Sequence, residues 1–208
     1  MLSELVIGGQ QDYAPGSQIR LRGNRSASAM VADSTGRYVD AVSRKKVFIG
    51  SNLGGTPVTS QAGLSATTPA LTLFNPVGSG YNLAILACGV AFNAAPAAAS
   101  QIWLAHNAIN LAGVPTAPTS TTTATVTSAL LGALDTPAGQ CFRIATLSAA
   151  PLLTIALGGT SGAAAIDGVA LWFDLGGIVT VGQGVAVSFQ FSSAAAVCCT
   201  FVWEEVPA

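Results

Sequence analysis

Side chains able to do chemistry are few in this sequence and badly placed for it. His106 is the only histidine, and a lone imidazole within an apolar alternating segment more often packs and hydrogen-bonds than acts as a general base. Acid–base hydrolysis needs two carboxylates that converge on one bond. Glu204 and Glu205 are adjacent, so a strand sends them to opposite faces, and Asp167 and Asp174 fall on opposite faces too. Cys88, Cys141, Cys198 and Cys199 show no CxxC or Cys/His spacing, so the reading is buried small hydrophobes in a reducing compartment, with no metal site. The clusters Gly78–Gly80 and Gly158–Gly162 lack the lysine of a phosphate loop, and their serines do not fall in the G-x-S-x-G spacing of a nucleophile elbow, so they read as turns. The expectation is a protein that is not an enzyme, with no catalytic, cofactor or metal site.

The functional candidates left are cationic. Residues 1–50 carry seven of the eight Lys/Arg against four acids, a net +3, whereas the remainder carries Arg143 against five acids, a net −4. Glu4, Asp12, Asp33 and Asp40 dilute the basic cluster, and no set of stacking aromatics accompanies it, which disfavours nucleic acid as a partner. Residues 1–46 are polar and Gly-containing, with weak alternation at Ile19 and Leu21. This texture predicts an extended basic arm that becomes ordered on a partner, with Arg20, Arg22, Arg25, Arg44, Lys45 and Lys46 as its anchoring cations. The stretch Gln18–Gly23 has the alternation needed to join a neighbour's sheet edge.

Between Val47 and Leu134 there is no Asp, Glu, Lys or Arg in 88 consecutive residues. Soluble monomers rely on surface charge to stay dispersed, so this composition predicts a chain that hides surface in an assembly, a homo-oligomer with a trimer preferred. A membrane is the rival explanation. The longest apolar stretch, Tyr81–Ala105, is interrupted by Asn82, Asn93, Pro96, Ser100 and Gln101, short of the roughly 20 apolar residues of a spanning helix. Met1–Gly9 lacks the basic and long apolar regions of a signal peptide, so synthesis in a cytoplasm is expected.

These features must be carried by strands, because a period of two recurs along the chain and a period near 3.6 does not. Val185, Val187, Phe189 and Phe191 alternate with small or polar residues, as do Val169, Leu171, Phe173 and Leu175, and then Val197, Cys199, Phe201, Trp203 and Glu205. Pro69–Asn75, Tyr81–Asn93, Gln101–His106, Gln140–Leu147 and Leu152–Leu157 read as further strands. Gly176–Gly177 and Gly182–Gly184 read as turns, and Ala112–Thr127 as either a surface loop or an edge hairpin. The predicted fold is all-β, an antiparallel jelly-roll-like β-sandwich over residues 47–208 behind the arm at 1–46.

A family resemblance points the same way. The order Gly36-Arg-Tyr-Val-Asp-Ala-Val42, Val47-Phe-Ile49, Gly63-Leu64 with Thr67-Thr68, and Leu73-Phe-Asn-Pro-Val-Gly-Ser-Gly80 with Asn82-Leu83, closing on Val181-Gly-Gln-Gly184 and Phe201-Val-Trp-Glu-Glu-Val206, resembles a tailed-bacteriophage virion structural protein. The resemblance spans about residues 36–206 and implies a jelly-roll-like decoration or cement protein on the capsid surface, whose partners are the major capsid protein and other virion subunits. The arm before residue 36 has no counterpart in it. The competing expectation is a tail- or fibre-associated receptor- or carbohydrate-binding module, for which Trp103, Trp172 and Trp203 are the available aromatic platforms.

Overall fold

Apolar residues at every second position leave each strand one face to bury, and two sheets that bury those faces against each other satisfy all of them at once. The computed structural model describes residues 38–52, 57–94, 96, 98–107, 117–160 and 170–208. Its elements are α1 (Val39–Ser43), β1 (Val47–Ser51), β2 (Val58–Thr59), β3 (Thr72–Phe74), β4 (Tyr81–Phe92), β5 (Gln101–Asn107), β6 (Thr119–Thr123), β7 (Thr125–Ser128), β8 (Gln140–Thr146), β9 (Pro151–Gly159), β10 (Ala170–Val181), β11 (Ala186–Phe191) and β12 (Ala196–Pro207). One sheet runs β10-β4-β12-β1-β7, with β2 beside β12, and the other runs β6-β8-β3-β11-β5-β9. All the named pairings are antiparallel.

Within these sheets the orders β1-β12-β4-β10 and β3-β11-β5-β9 interleave early and late strands as a jelly roll does. The expected fold class is therefore observed. Three strands inserted between β5 and β9 widen it: β7 extends the first sheet, and β8 and β6 extend the second. The Thr-rich segment is neither of the two expected forms. Its described part gives β6 to one sheet and β7 to the other, and the chain crosses between them at buried Ala124.

The alternating residues meet between the sheets. Val187, Phe189 and Phe191 from β11 face Val197, Cys199, Phe201 and Trp203 from β12 in a single core, with Phe189 and Phe201 centroids 4.6 Å apart. Trp203 has no solvent exposure. Room for it comes from glycine: a Cβ on Gly50 would stand 3.0 Å from Trp203 Cζ3 and 2.9 Å from Cys141 Sγ of the opposite sheet, and one on Gly139 would stand 3.1 Å from Trp203 Nε1.

Three local readings are revised. Gly176–Gly177 does not end a strand; β10 continues through it as an irregularity between Asp174 and Val179, with both glycines at positive φ. Gly158 and Gly159 belong to β9, where a Cβ on Gly159 would come within 2.8 Å of the Ser100 carbonyl oxygen, so close approach of backbones and not a turn requires glycine. Residues 38–46, read as the end of an extended arm, form the short helix α1 and its cap, because Ala41 packs with Val47 and Leu86 on the outer side of the first sheet. The remainder of the arm, residues 1–37 with Arg20, Arg22 and Arg25, lies outside the described residues.

Packing of this kind sets an expected outcome. Gly50→Ala overfills the contact between Trp203 and Cys141 and lowers unfolding free energy by about 1–3 kcal/mol, whereas Trp203→Ala leaves a cavity and costs about 3–5 kcal/mol. Urea denaturation followed by circular dichroism measures both, and an unchanged midpoint for Gly50→Ala would contradict the geometry.

Candidate functional site

Of the six anchoring cations expected from sequence, the structure describes three and brings them to one corner. Helix α1 is a single turn that stops in a Schellman arrangement: Lys46 N–H donates to the Ala41 carbonyl at 3.1 Å, and Lys45 N–H donates to the Val42 carbonyl at 2.9 Å. The motif puts Lys45 in the left-handed region, φ 59°, where glycine is the usual occupant. A non-glycine residue there costs on the order of 1 kcal/mol. The reversal turns Arg44, Lys45 and Lys46 toward a cavity of about 290 Å³ that they line with Tyr81, Asp135 and Glu205, among others.

Contacts in this corner differ in firmness. Glu205 is buried and its Oε1 accepts the Ala138 and Gly139 backbone N–H groups at 2.6 and 3.0 Å, which pins the loop that delivers Asp135. Asp135 Oδ2 lies 3.7 Å from Lys45 Nζ, with the two side chains 32% and 52% exposed. Asp135 Oδ2 is itself shielded from solvent, but a pair that long between two partly exposed side chains is worth about 0–1 kcal/mol. Lys46 Nζ is 3.4 Å from the Tyr81 hydroxyl and 4.8 Å from the centre of its ring. Two of the three cations therefore hold weak contacts within their own chain, which a better-placed external carboxylate can displace. Sequence reasoning missed Tyr81, Asp135 and Glu205 as parts of this site. One signal was present, since Asp135 is the first charge after the uncharged span.

Other chemically capable side chains are dispersed. His106 stands on β5 with Nδ1 2.9 Å from Thr154 Oγ1. Glu204 and Glu205 do point to opposite sides of β12, one half-buried and the other buried, and Asp174 is exposed on β10; Asp167 is outside the described residues. No cluster of three or more His, Cys, Asp or Glu suited to a metal occurs among the described residues, and no helix among them is long and apolar enough to cross a membrane. The four cysteines are free, three of them buried and Cys198 half-buried. Burial pushes the Cys88 thiol from the ordinary 9.0 up to about 12. Burial likewise raises Cys141 and Cys199, the latter with added repulsion from its neighbouring cysteines.

Two outcomes follow from these contacts. Lys45→Gly relieves the left-handed strain while losing a long, partly exposed ion pair, two effects of about 1 kcal/mol or less that oppose each other, so unfolding free energy changes by no more than about 1 kcal/mol in a denaturation measurement. The raised Cys88 value means that the unfolded chain loses its thiol proton first as pH climbs. Stability is thus fully present below pH 9.0 and declines toward about 12, and an alkaline melting series that stays flat over that window would refute the burial argument. Comparison with protein-family models, with curated proteins and with solved structures gives no match, which leaves the chemistry of the surface itself as the basis for a functional reading.

Proposed function

We propose that this protein is a structural virion subunit, a decoration or cement protein that binds a bacteriophage capsid surface as a homo-oligomer, with a trimer preferred. One observation carries the reading. The 88 uncharged residues supply β1 through β7, so both sheets receive long charge-free segments, an arrangement suited to contact with other subunits. Jelly-roll strand order supports it by fold-level analogy only, since that architecture serves viral coats and lectins alike.

The basic corner is the proposed anchoring contact. Leu131 and Leu134, 84% and 99% exposed, sit on the connection that leads to Asp135, so an apolar tip stands close in sequence to a residue of the cationic site. In this reading, lysine stands at a position where glycine costs less because its side chain meets a partner. Carboxylates of the major capsid protein would displace Asp135 from Lys45. Arg20, Arg22 and Arg25 would add contacts that are individually weak and collectively sufficient through repetition on the particle.

Mass spectrometry of purified virions should find the chain in many copies per particle. Full-length protein should attach to capsids that lack it, and the chain shortened to begin at Tyr38, which keeps Arg44, Lys45 and Lys46 but loses Arg20, Arg22 and Arg25, should stay folded yet attach more weakly. Equal attachment by the shortened chain removes the arm from the anchoring role. Sedimentation should give an oligomer, and a stable monomer at micromolar concentration counts against the assembly reading.

A further inference from the structure

The first sheet carries an outward surface away from α1 whose residues line up across the strands. Pairing registers set Trp172 on β10 opposite Gly89 on β4, Gly89 opposite Thr200 on β12, Thr200 opposite Ser51 on β1, and Ser51 opposite Thr125 on β7. Leu171, Phe173 and Leu175 pack into the core, so Trp172 and Asp174 point the other way. Five strands at the usual spacing make this row roughly 19 Å long.

Trp172 is 61% exposed, although Trp203 is wholly buried and Trp103 is half-buried. Its six-membered ring rests over Gly89: a Cβ at that position would stand 2.7 Å from Cε3 and 2.9 Å from Cζ3. Glycine thus lets the indole lie across the sheet, supported by backbone beneath it. Two residues along the same strand, the exposed Asp174 carboxylate has one oxygen fixed by the Gly176 N–H at 3.0 Å. The residue facing Asp174 is Ala87, too small to screen either group.

We infer that this surface binds a neutral oligosaccharide of pyranose sugars. The C–H face of one sugar stacks on the Trp172 ring, burying apolar area on both sides. Adjacent hydroxyls of that sugar donate to the Asp174 carboxylate, a charge-assisted contact, and the next sugar meets the hydroxyls of Thr200 and Ser51. A protein partner fits less well, because the dry centre of a protein interface excludes charged groups and Asp174 stands beside the ring. Anionic ligands meet repulsion from the same carboxylate. This inference does not rest on the virion reading, since it needs only the folded sandwich.

Titration of the full-length chain with cellohexaose, maltohexaose and chitohexaose, followed by tryptophan fluorescence and calorimetry, tests it. At least one of the three should bind saturably with a change in emission. Trp172→Ala should weaken that binding at least about tenfold, and Asp174→Asn at least about threefold. Trp103→Ala, on the other sheet, should leave it unchanged. Trp172 is exposed, so its variant should keep the wild-type circular dichroism spectrum, and Asp174→Asn tests the site with the ring in place. Saturable binding by none of the three sugars overturns the inference, as does binding that survives Trp172→Ala. So does an oligomer that Trp172→Ala dissociates without any sugar bound, because a second copy of the chain would then own the surface.

Discussion

The Trp203 indole, wedged where two glycines vacate space, is the contact on which the remaining geometry depends. It touches Phe48 on the neighbouring strand, with ring centroids 6.1 Å apart, and shares the volume above Gly50 with Cys141 of the opposite sheet. Gly139 closes over its nitrogen edge. Two residues further along β12, Glu205 holds the Ala138 and Gly139 amides, so successive inward residues of one strand grip one loop. That loop presents Asp135 to Lys45. The placement of the cationic corner is therefore inherited from core packing, and a substitution at Gly50 or Gly139 reaches the surface through two strands.

Because charge is scarce, neutral amides do the stitching that ion pairs do elsewhere. Buried Asn75 donates to the Tyr81 and Val181 carbonyls at 2.8 and 2.9 Å and accepts the Ser79 hydroxyl at 2.7 Å, tying a turn to the ends of β4 and β10. Asn52 donates to the Val197 carbonyl and accepts the Cys199 N–H, which fixes the chain leaving β1 against β12. Gln190 accepts the Ser65 N–H and donates to the Ser65 carbonyl. An amide can satisfy a donor and an acceptor together without the desolvation penalty of a charge. Each such hub is also fragile, because removing it strands buried backbone groups at about 1–3 kcal/mol apiece.

Alternation made the long strands legible: β4, β5, β8, β9, β11 and β12 lie within a residue or two of where their pattern places them, and the alternating residues of β12 from Val197 to Glu205 are all buried. What the pattern could not reveal depends on distant segments. Ser188 and Gln190 read as a solvent side, yet both are buried where Ser65 binds Gln190 from outside the sheet. The path of β6 and β7 was hidden because threonine suits either sheet equally well. Helix α1 was missed because five residues carry too little periodicity, and the Lys45–Asp135 pair because its partners are separated by the whole uncharged span. Trp172 was legible only as one of three tryptophans that could serve as aromatic platforms, and the register that sets it over Gly89 is what distinguishes it from Trp103 and Trp203.

Strand β12 lies between β1 and β4, so the last strand in chain order is central to its sheet. Until it arrives, the first strand and the longest early strand have no common partner, and both present unpaired, apolar edges. Joining them requires contacts between residues some 150 positions apart, such as Val47 with Glu204 and Phe48 with Trp203, and loop closure over that distance slows folding. A half-formed sandwich would be a sticky intermediate with almost no charge to repel its own kind. The architecture thus concentrates the hazard of low charge in the time before folding is complete, where dilution, chaperones or an early partner must contain it.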